Sequence, residues 1–482
     1  MPDLDLVSKL SEKERILAEA SLQAVCPDDG KYGKDSKTLV KYLSPKAEWR
    51  MCVLVQKILL ETRMFFGQAE QRHVAEFEAA LPQISPLNIS LLEEQVTRHD
   101  QLAVIEEIGR FVSPETKALL HPGTTSYDVL DTARSFLMRE AWEEVIRPKV
   151  KEVIGKLANL AEEHMDVLQV GRTHLQNTSP VTFGVYLAGY AARLAERWNR
   201  ANDAFFSLRG KVSGIVGTGA SIECVIGDGK ALEFQKKVLH TLHLDPDYTA
   251  TQIVQKELLC DVGNSVVTLM SVLGNFADDM RLLYSSAIGE ITDLDAAARL
   301  KGSSAGAGKN NPIHWENIAG KVAVVESGMR VLYEMMRTNF QRDLRNSVQA
   351  RYQPGMMMAE MYESFCRASK ALDKLYLNKK ACARNLKPYR RIPDEPAVAI
   401  TRAHGYVHPE FGVGHSAVAE FVKIAKKDKR RLIDVALEDA HFEDFYNKLP
   451  EKEQKILQGG LELYLGPSRD VARENIVFAR SI

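Results

Sequence analysis

At 482 residues, with 45% hydrophobic and 26% charged residues and a formal net charge of −1, the chain has the composition of a multi-domain globular protein and offers no basic face for nucleic acid. The opening MPDLDLVSKLSEKER is charged from its start and has no apolar core, and no later stretch reads as an apolar run long enough to span a bilayer, so a cytoplasmic protein without membrane contact is expected. The six cysteines (Cys26, Cys52, Cys224, Cys260, Cys366, Cys382) lack C-x-x-C or metal spacing, and buried free thiols are expected in place of disulfides or a zinc site.

Residues 1–125 mix shorter helices with loops and read as an N-terminal helical domain. From 126 to 378 the apolar residues recur in steps of four and three, which is the spacing of long helices packed in a bundle. The segment Thr132 to Glu163 is the first, with Pro148 as an expected kink or break. Phe183, Leu187, Ala191, Leu194, Trp198, Ala201 and Phe205 line a second helix; Val266, Leu269, Leu273, Phe276, Met280 and Leu283 a third; Ile318, Val322, Val325, Met329, Leu332 and Met336 a fourth. Helices this long with apolar seams on more than one side require partners, so several copies should associate. After Lys379 the composition changes, and 379–482 reads as a separate C-terminal helical domain. Its basic run KIAKKDKRR, Lys423 to Arg431, is short and followed by Asp434, Glu438 and Asp439, so a solvated helix face is the better reading than a nucleic-acid patch. The whole is expected to be all-α.

Short polar segments interrupt this periodicity, and packing explains them least. Thr97-Arg98-His99-Asp100 is the first, and His121 to Asp128, rich in hydroxyls at an expected helix start, is the second. Gly171 to Thr182 carries His174, again ahead of a long helix. Each alone is also explained by a helix cap or a satisfied histidine. Lys301 to Pro312 is a Gly/Ser/Ala-rich loop with Lys309, suited to a mobile lid that holds a carboxylate or phosphate. It is not a P-loop, because Asn310 stands where a hydroxyl should follow the lysine. Gln341 to Arg351 brings two guanidinium groups and Ser347 within reach of one phosphate. Gly214 to Gly219 (GIVGTG) is either a close approach to a nucleotide or a plain inter-helix loop.

In this order the segments resemble the fumarase/aspartase superfamily and, within it, the adenylosuccinate lyase family. The signature G-S-S-x-M-P-x-K-x-N-P is similar to Gly302 to Pro312, G-R-T-H with P-x-T-x-G to Gly171–His174 and Pro180–Gly184, and T-R-H-D and H-x-G-x-T-S-x-D-V-x-D-T to Thr97–Asp100 and His121–Thr132. The nucleotide-specific R-D-x-x-x-S-x-x-x-R is present as Arg342, Ser347 and Arg351, and the N-terminal D-G-R-Y-G resembles Asp29 to Gly33 with Lys31 and Tyr32. The resemblance implies a three-domain helical fold with a central long-helix bundle in a homotetramer whose subunits share active sites. It implies a lyase that cleaves adenylosuccinate, and the succinylated aminoimidazole carboxamide ribotide, to release fumarate without metal or organic cofactor. Ser303 would be the base, His174 the acid, and His99 and His121 would orient the substrate or assist the acid. Lys309 and Asn311 would stabilise the aci-carboxylate intermediate, with Thr125, Ser126 and Gln252 on the succinyl and amide-like groups, and Arg98, Asp100, Thr173 and Ser304 completing the substrate set.

The chain departs from the family pattern at Gly306-Ala307-Gly308, which replaces Met-Pro in the lid, and at Lys31, which replaces an arginine. More backbone freedom in the lid predicts slower turnover, and a lysine loses the bidentate grip on phosphate. Asn346 stands where some members carry histidine, and Leu258-Leu259 where some carry polar residues. Two alternatives stay open: a fumarate-releasing lyase of argininosuccinate or aspartate type, and a catalytically silent helical scaffold.

Overall fold

The four-and-three spacing folds as helix almost throughout the computed structural model, which describes residues 34–294, 309–345 and 347–482 together with Ser11, Glu12 and Ile16. Internal contacts divide the chain into two compact units, one of Met1–Val150, Arg197–Ser271 and Gly320–Cys366, the other of Lys151–Glu196, Val272–Ala319 and Arg367–Ile482.

In the first unit, α1 (Pro45–Phe65) starts where Ser44 accepts the Ala47 N–H and Pro45 fills the first helical position, which has no intrahelical donor to lose. Its buried face joins α2 (Asp100–Gly109) and α3 (Ser126–Ala141) around Leu60, Phe77, Ile89, Ile108, Leu130 and Phe234. A π-turn, Trp142–Ile146, connects α3 to α4 (Arg147–Glu163). The expected irregularity at Pro148 takes this form: proline has no N–H and its ring crowds the carbonyl four residues back, and the wider turn just before it relieves both. Trp142 stacks on Phe205 with the ring planes 3° apart.

The second unit, which takes in α4 from Lys151 onward, contains a hairpin, β1 (Leu168–Thr173) antiparallel to β2 (Gln176–Thr182), followed by α5 (Phe183–Phe206), whose residues from 197 on belong to the first unit. Gly184 ends the P-x-T-x-G pattern because a Cβ there would lie 2.5 Å from the Ala161 carbonyl oxygen and from the Met165 Cα. Along the chain then come α6 (Glu257–Tyr284), β3 (Ile291–Asp293), α7 (Ile313–Met335) and α8 (Ser347–Leu372), of which residues 257–271, 320–335 and 347–366 belong to the first unit. β4 (Leu375–Leu377) pairs antiparallel with β3, and α9 (Lys379–Arg391) leads into short helices around Ile400, Phe421, Leu432, Phe442 and Ile456.

The seams of α5 and α6 are buried at every position named from the sequence. In α7 the outcome is mixed: Ile318, Val325, Met329 and Leu332 are buried, Val322 is half-buried, and Met336 is exposed while its neighbour Met335 turns inward. One expectation is corrected. By length and a mean hydropathy of 1.3 in its most apolar window, α6 could cross a membrane; 56% of that window is buried inside the protein, as in a core helix. Cys52, Cys260, Cys366 and Cys382 are buried and not disulfide-bonded, Cys224 is exposed, and Cys26 lies outside the described residues. In the basic run Lys423 is exposed and pairs with Glu420 at 2.6 Å, and Arg430 pairs with Glu438, as a solvated face requires.

Candidate active site

Non-glycine residues rarely adopt positive φ, and those that do mark places where the surroundings override backbone preference. Among the described residues they are Arg98, His121, His174, Leu175 and Phe340, with only His243 and Lys429 away from the polar segments.

In the first unit a π-turn, Glu93–Thr97, ends at Arg98, and His99 then caps α2. His99 Nδ1 accepts the Leu102 N–H at 3.4 Å, which leaves Nε2 as the donor toward Ser126 Oγ, also 3.4 Å away. The next carboxylate, Asp100, receives Arg351 at 3.4 Å. Arg342 lies with its guanidinium carbon 3.7 Å from the Tyr127 ring centroid, donating to Gln252 Oε1 at 3.1 Å and Ser347 Oγ at 2.9 Å. The expected phosphate fork is therefore split between the loop before α8 and its first turn. Arg351 also lines a cavity of about 240 Å³, beside Lys256, Arg134, Glu48 and Glu93.

Beneath this surface lies a framework that the sequence does not announce. Thr125 and Asp128 form a capping box at the start of α3. The fully buried Asp128 also accepts the backbone N–H groups of Ser213 (3.0 Å) and Gly214 (3.1 Å) and pairs with the equally buried Lys211, which donates to the Gly214 carbonyl at 3.1 Å. The glycine-rich stretch 214–219 is thus tied to the His121–Asp128 segment, and Ser221 Oγ donates to the Gly123 carbonyl at 2.6 Å. Asp131 receives Lys256 at 2.8 Å and the Val254 N–H at 2.9 Å. Gln56, buried in the middle of α1, donates to His121 Nδ1 at 2.9 Å, so the ring proton sits on Nε2. Burial pushes His121 down to about 4, against the opposing pull of Asp128. It is a neutral donor at pH 7.

In the second unit the β1–β2 turn is His174–Leu175, and register pairs Thr173 with Gln176 across it. Both turn residues have positive φ, as a type I′ turn demands, without the Asn-Gly that makes such turns easy. Thr173 and His174 are exposed and Leu175 is 70% exposed. Register shifts at Gly171, where a Cβ would approach Ser179 O to 2.7 Å, and this bulge turns Arg172 inward. Arg172 makes a bidentate pair with the fully buried Glu290, Nη1 at 3.1 Å and Nη2 at 2.6 Å. Burial would raise the Glu290 carboxyl, but Arg172, Gln169 and Asn385 together hold it below the usual range. Lys309 is exposed, and Asn311 accepts the Ile313 N–H through its carbonyl at the start of α7. Lys31, Tyr32, Ser303 and Ser304 lie outside the described residues. Among the described residues no group of three or more His, Cys, Asp or Glu side chains could hold a metal ion.

A lyase family model matches residues 78–326, which include His99, His121, His174 and Lys309. The chain belongs to this lyase family. It is 27% identical over 459 residues to the adenylosuccinate lyase of Methanocaldococcus jannaschii (95% of this chain, 96% of the relative) and 26% identical to that of Archaeoglobus fulgidus (92% and 96%). Among solved structures it matches the 3-carboxy-cis,cis-muconate lactonizing enzyme of Pseudomonas putida with a TM-score of 0.77 at 20% identity, covering 92% of this chain and 97% of that one. A fumarate lyase of Mesorhizobium sp. BNC1 matches at 0.75, also 20% identical, over 91% and 97%. The mostly helical chain therefore shares the fold of these two solved structures.

Proposed function

We propose that this lyase cleaves adenylosuccinate to AMP and fumarate by β-elimination in purine biosynthesis, and the succinylated aminoimidazole carboxamide ribotide to its amide and fumarate. One observation carries the reading: two strings of contacts, Ser126–His99–Asp100–Arg351 and Tyr127–Arg342 with Gln252 and Ser347, start from adjacent residues of α3. On this reading the succinyl carboxylates meet the first string, and Arg342, Ser347 and Arg351 meet the phosphate. The end-to-end likeness to relatives named adenylosuccinate lyase supports the same substrate.

On this reading Ser303 removes the proton beside the β-carboxylate of the succinyl group. Lys309 and Asn311 stabilise the aci-carboxylate that forms, the carbon–nitrogen bond breaks, and His174 protonates the departing nitrogen. His99 and His121 orient the substrate or assist His174, and burial keeps His121 neutral at pH 7 with its ring proton on Nε2. Arg98, Asp100, Thr125, Thr173 and Ser304 complete the substrate contacts, and Lys31 and Tyr32 join Arg342, Ser347 and Arg351 on the phosphate. No cofactor is involved.

The division into 1–125, 126–378 and 379–482 belongs to this reading, with 126–378 supplying the shared core of a cytoplasmic homotetramer. Exposed Val324, Tyr333, Tyr352 and Met356 on α7 and α8, and the exposed His174–Leu175 turn, support contacts with further copies. The test is ultraviolet absorbance during conversion of adenylosuccinate, with fumarate quantified in parallel. Wild-type protein should turn over, and Ser303→Ala should bind substrate while losing nearly all turnover. A folded tetramer that converts none of it overturns the substrate, and an active Ser303→Ala overturns the base.

A further inference from the structure

Glu290 is an unusual side chain for its place in the fold. It is fully buried, and four N–H groups occupy its carboxylate: Gln169 Nε2 at 2.6 Å, Arg172 Nη1 at 3.1 Å, Arg172 Nη2 at 2.6 Å and Asn385 Nδ2 at 2.9 Å. These donors come from the β1–β2 hairpin and from α9, while Glu290 itself precedes β3. Its own backbone is fixed too, the N–H donating to the Leu283 carbonyl at 3.0 Å and the carbonyl accepting the Asn378 N–H at 2.8 Å. With each oxygen doubly occupied and no solvent access, Glu290 cannot meet substrate. A buried ion pair is also poor evidence of stabilisation, since apolar residues of the same volume would serve as well or better. What it adds is direction.

The direction matters because of what lies two residues beyond Arg172. His174 and Leu175 hold a turn conformation that their side chains disfavour, so the turn depends on strands fixed from outside. The bulge at Gly171 breaks the hairpin ladder just where that fixing is needed. We propose that Glu290 is a positioning residue for the reaction, fixing through its bidentate pair with Arg172 the angle at which the β1–β2 turn presents His174. The inference rests on His174 being the proton donor of the proposed function. Glu290 acts only through Arg172 and makes no contact with reacting atoms.

The test is a double-mutant cycle. Glu290→Gln keeps the volume but turns an amide N–H₂ toward the guanidinium, so the bidentate pair opens. Misplacing the donor by an ångström should lower kcat for adenylosuccinate roughly 10- to 100-fold with KM changed less than about twofold. In a His174→Gln background the same substitution should leave the residual turnover almost unchanged, because the group it positions is gone. Equal losses in both backgrounds, or an undiminished kcat in folded Glu290→Gln, would overturn the proposal. Arg172→Lys keeps the charge and loses the fork, and it carries the same cycle if Glu290→Gln fails to fold. Hydrogen exchange of residues 168–182 without substrate gives a readout independent of turnover. Faster exchange at the turn in the variant supports the anchoring even if wild-type protein proves inactive on adenylosuccinate, and unchanged exchange with unchanged turnover rejects it.

Discussion

Burial that holds His121 neutral down to about pH 4 is also a statement about stability. In the unfolded chain this imidazole takes up a proton near its ordinary pKa of about 6.5, and in the folded protein it does so only near 4, so stability falls as pH drops through that window. At pH 5 the loss should be on the order of 2 kcal/mol. Urea unfolding of wild type and His121→Asn at pH 7 and pH 5 measures it, and equal pH dependence in the two proteins would refute the assignment. The histidine itself is legible in the sequence because it stands in a polar segment that breaks an apolar rhythm. Its controlling neighbour is not. Gln56 sits in MCVLVQKILL, where a polar residue reads as the wet side of a helix, and only the packing around α1 turns it inward. Lys211 and Glu290 escape notice for the same reason: one charged residue in an unpatterned stretch carries no sign of being buried.

Elements were legible where periodicity was long. Heptad-like spacing fixes the faces of α5 and α6, but α7 ends at Met335, which is buried, and the expected last seam position, Met336, falls in the turn beyond the helix and is exposed. The hairpin was not legible. Its strands do not alternate, and a type I′ turn built from His174 and Leu175 lacks the Asn-Gly that signals one. Glycines inside helices test how tightly these elements approach. Alanine at Gly184 would force its methyl into the Ala161 and Met165 backbone, and Gly184→Ala should destabilise by about 1–3 kcal/mol. At Gly155, in α4, a Cβ meets nothing within 4 Å, and Gly155→Ala should stabilise by up to about 1 kcal/mol from helix propensity. Thermal melts of the pair decide it, and two shifts of the same sign would contradict the close approach at Gly184.

For the whole molecule, the long apolar helices predict partners; one chain already covers the named seams of α5 and α6, and the exposed Val324, Tyr333, Tyr352 and Met356 are what further copies would cover under the proposed function. If His174 and Ser303 of one site come from different subunits, two inactive proteins can repair each other. Mixed and re-equilibrated His174→Ala and Ser303→Ala tetramers should recover about a quarter of wild-type turnover, the share of sites that random assembly leaves intact. No recovery after verified subunit exchange would place both groups in the same chain. Residue positions of this kind are beyond sequence periodicity, which describes faces of helices and not which copy covers them.

Lys211 and Asp128 have no solvent contact, whereas Arg351 keeps 39% of its side chain in water. Mobile ions reach the second and not the first, with a screening length near 10 Å at 0.1 M. If Arg351 holds the phosphate as proposed, raising ionic strength should therefore increase KM for a phosphorylated substrate well before it loosens the loops tied by Asp128. Salt becomes a way to weaken the grip on the nucleotide while the architecture around it stays intact, so binding and folding can be titrated apart in a single protein without any substitution.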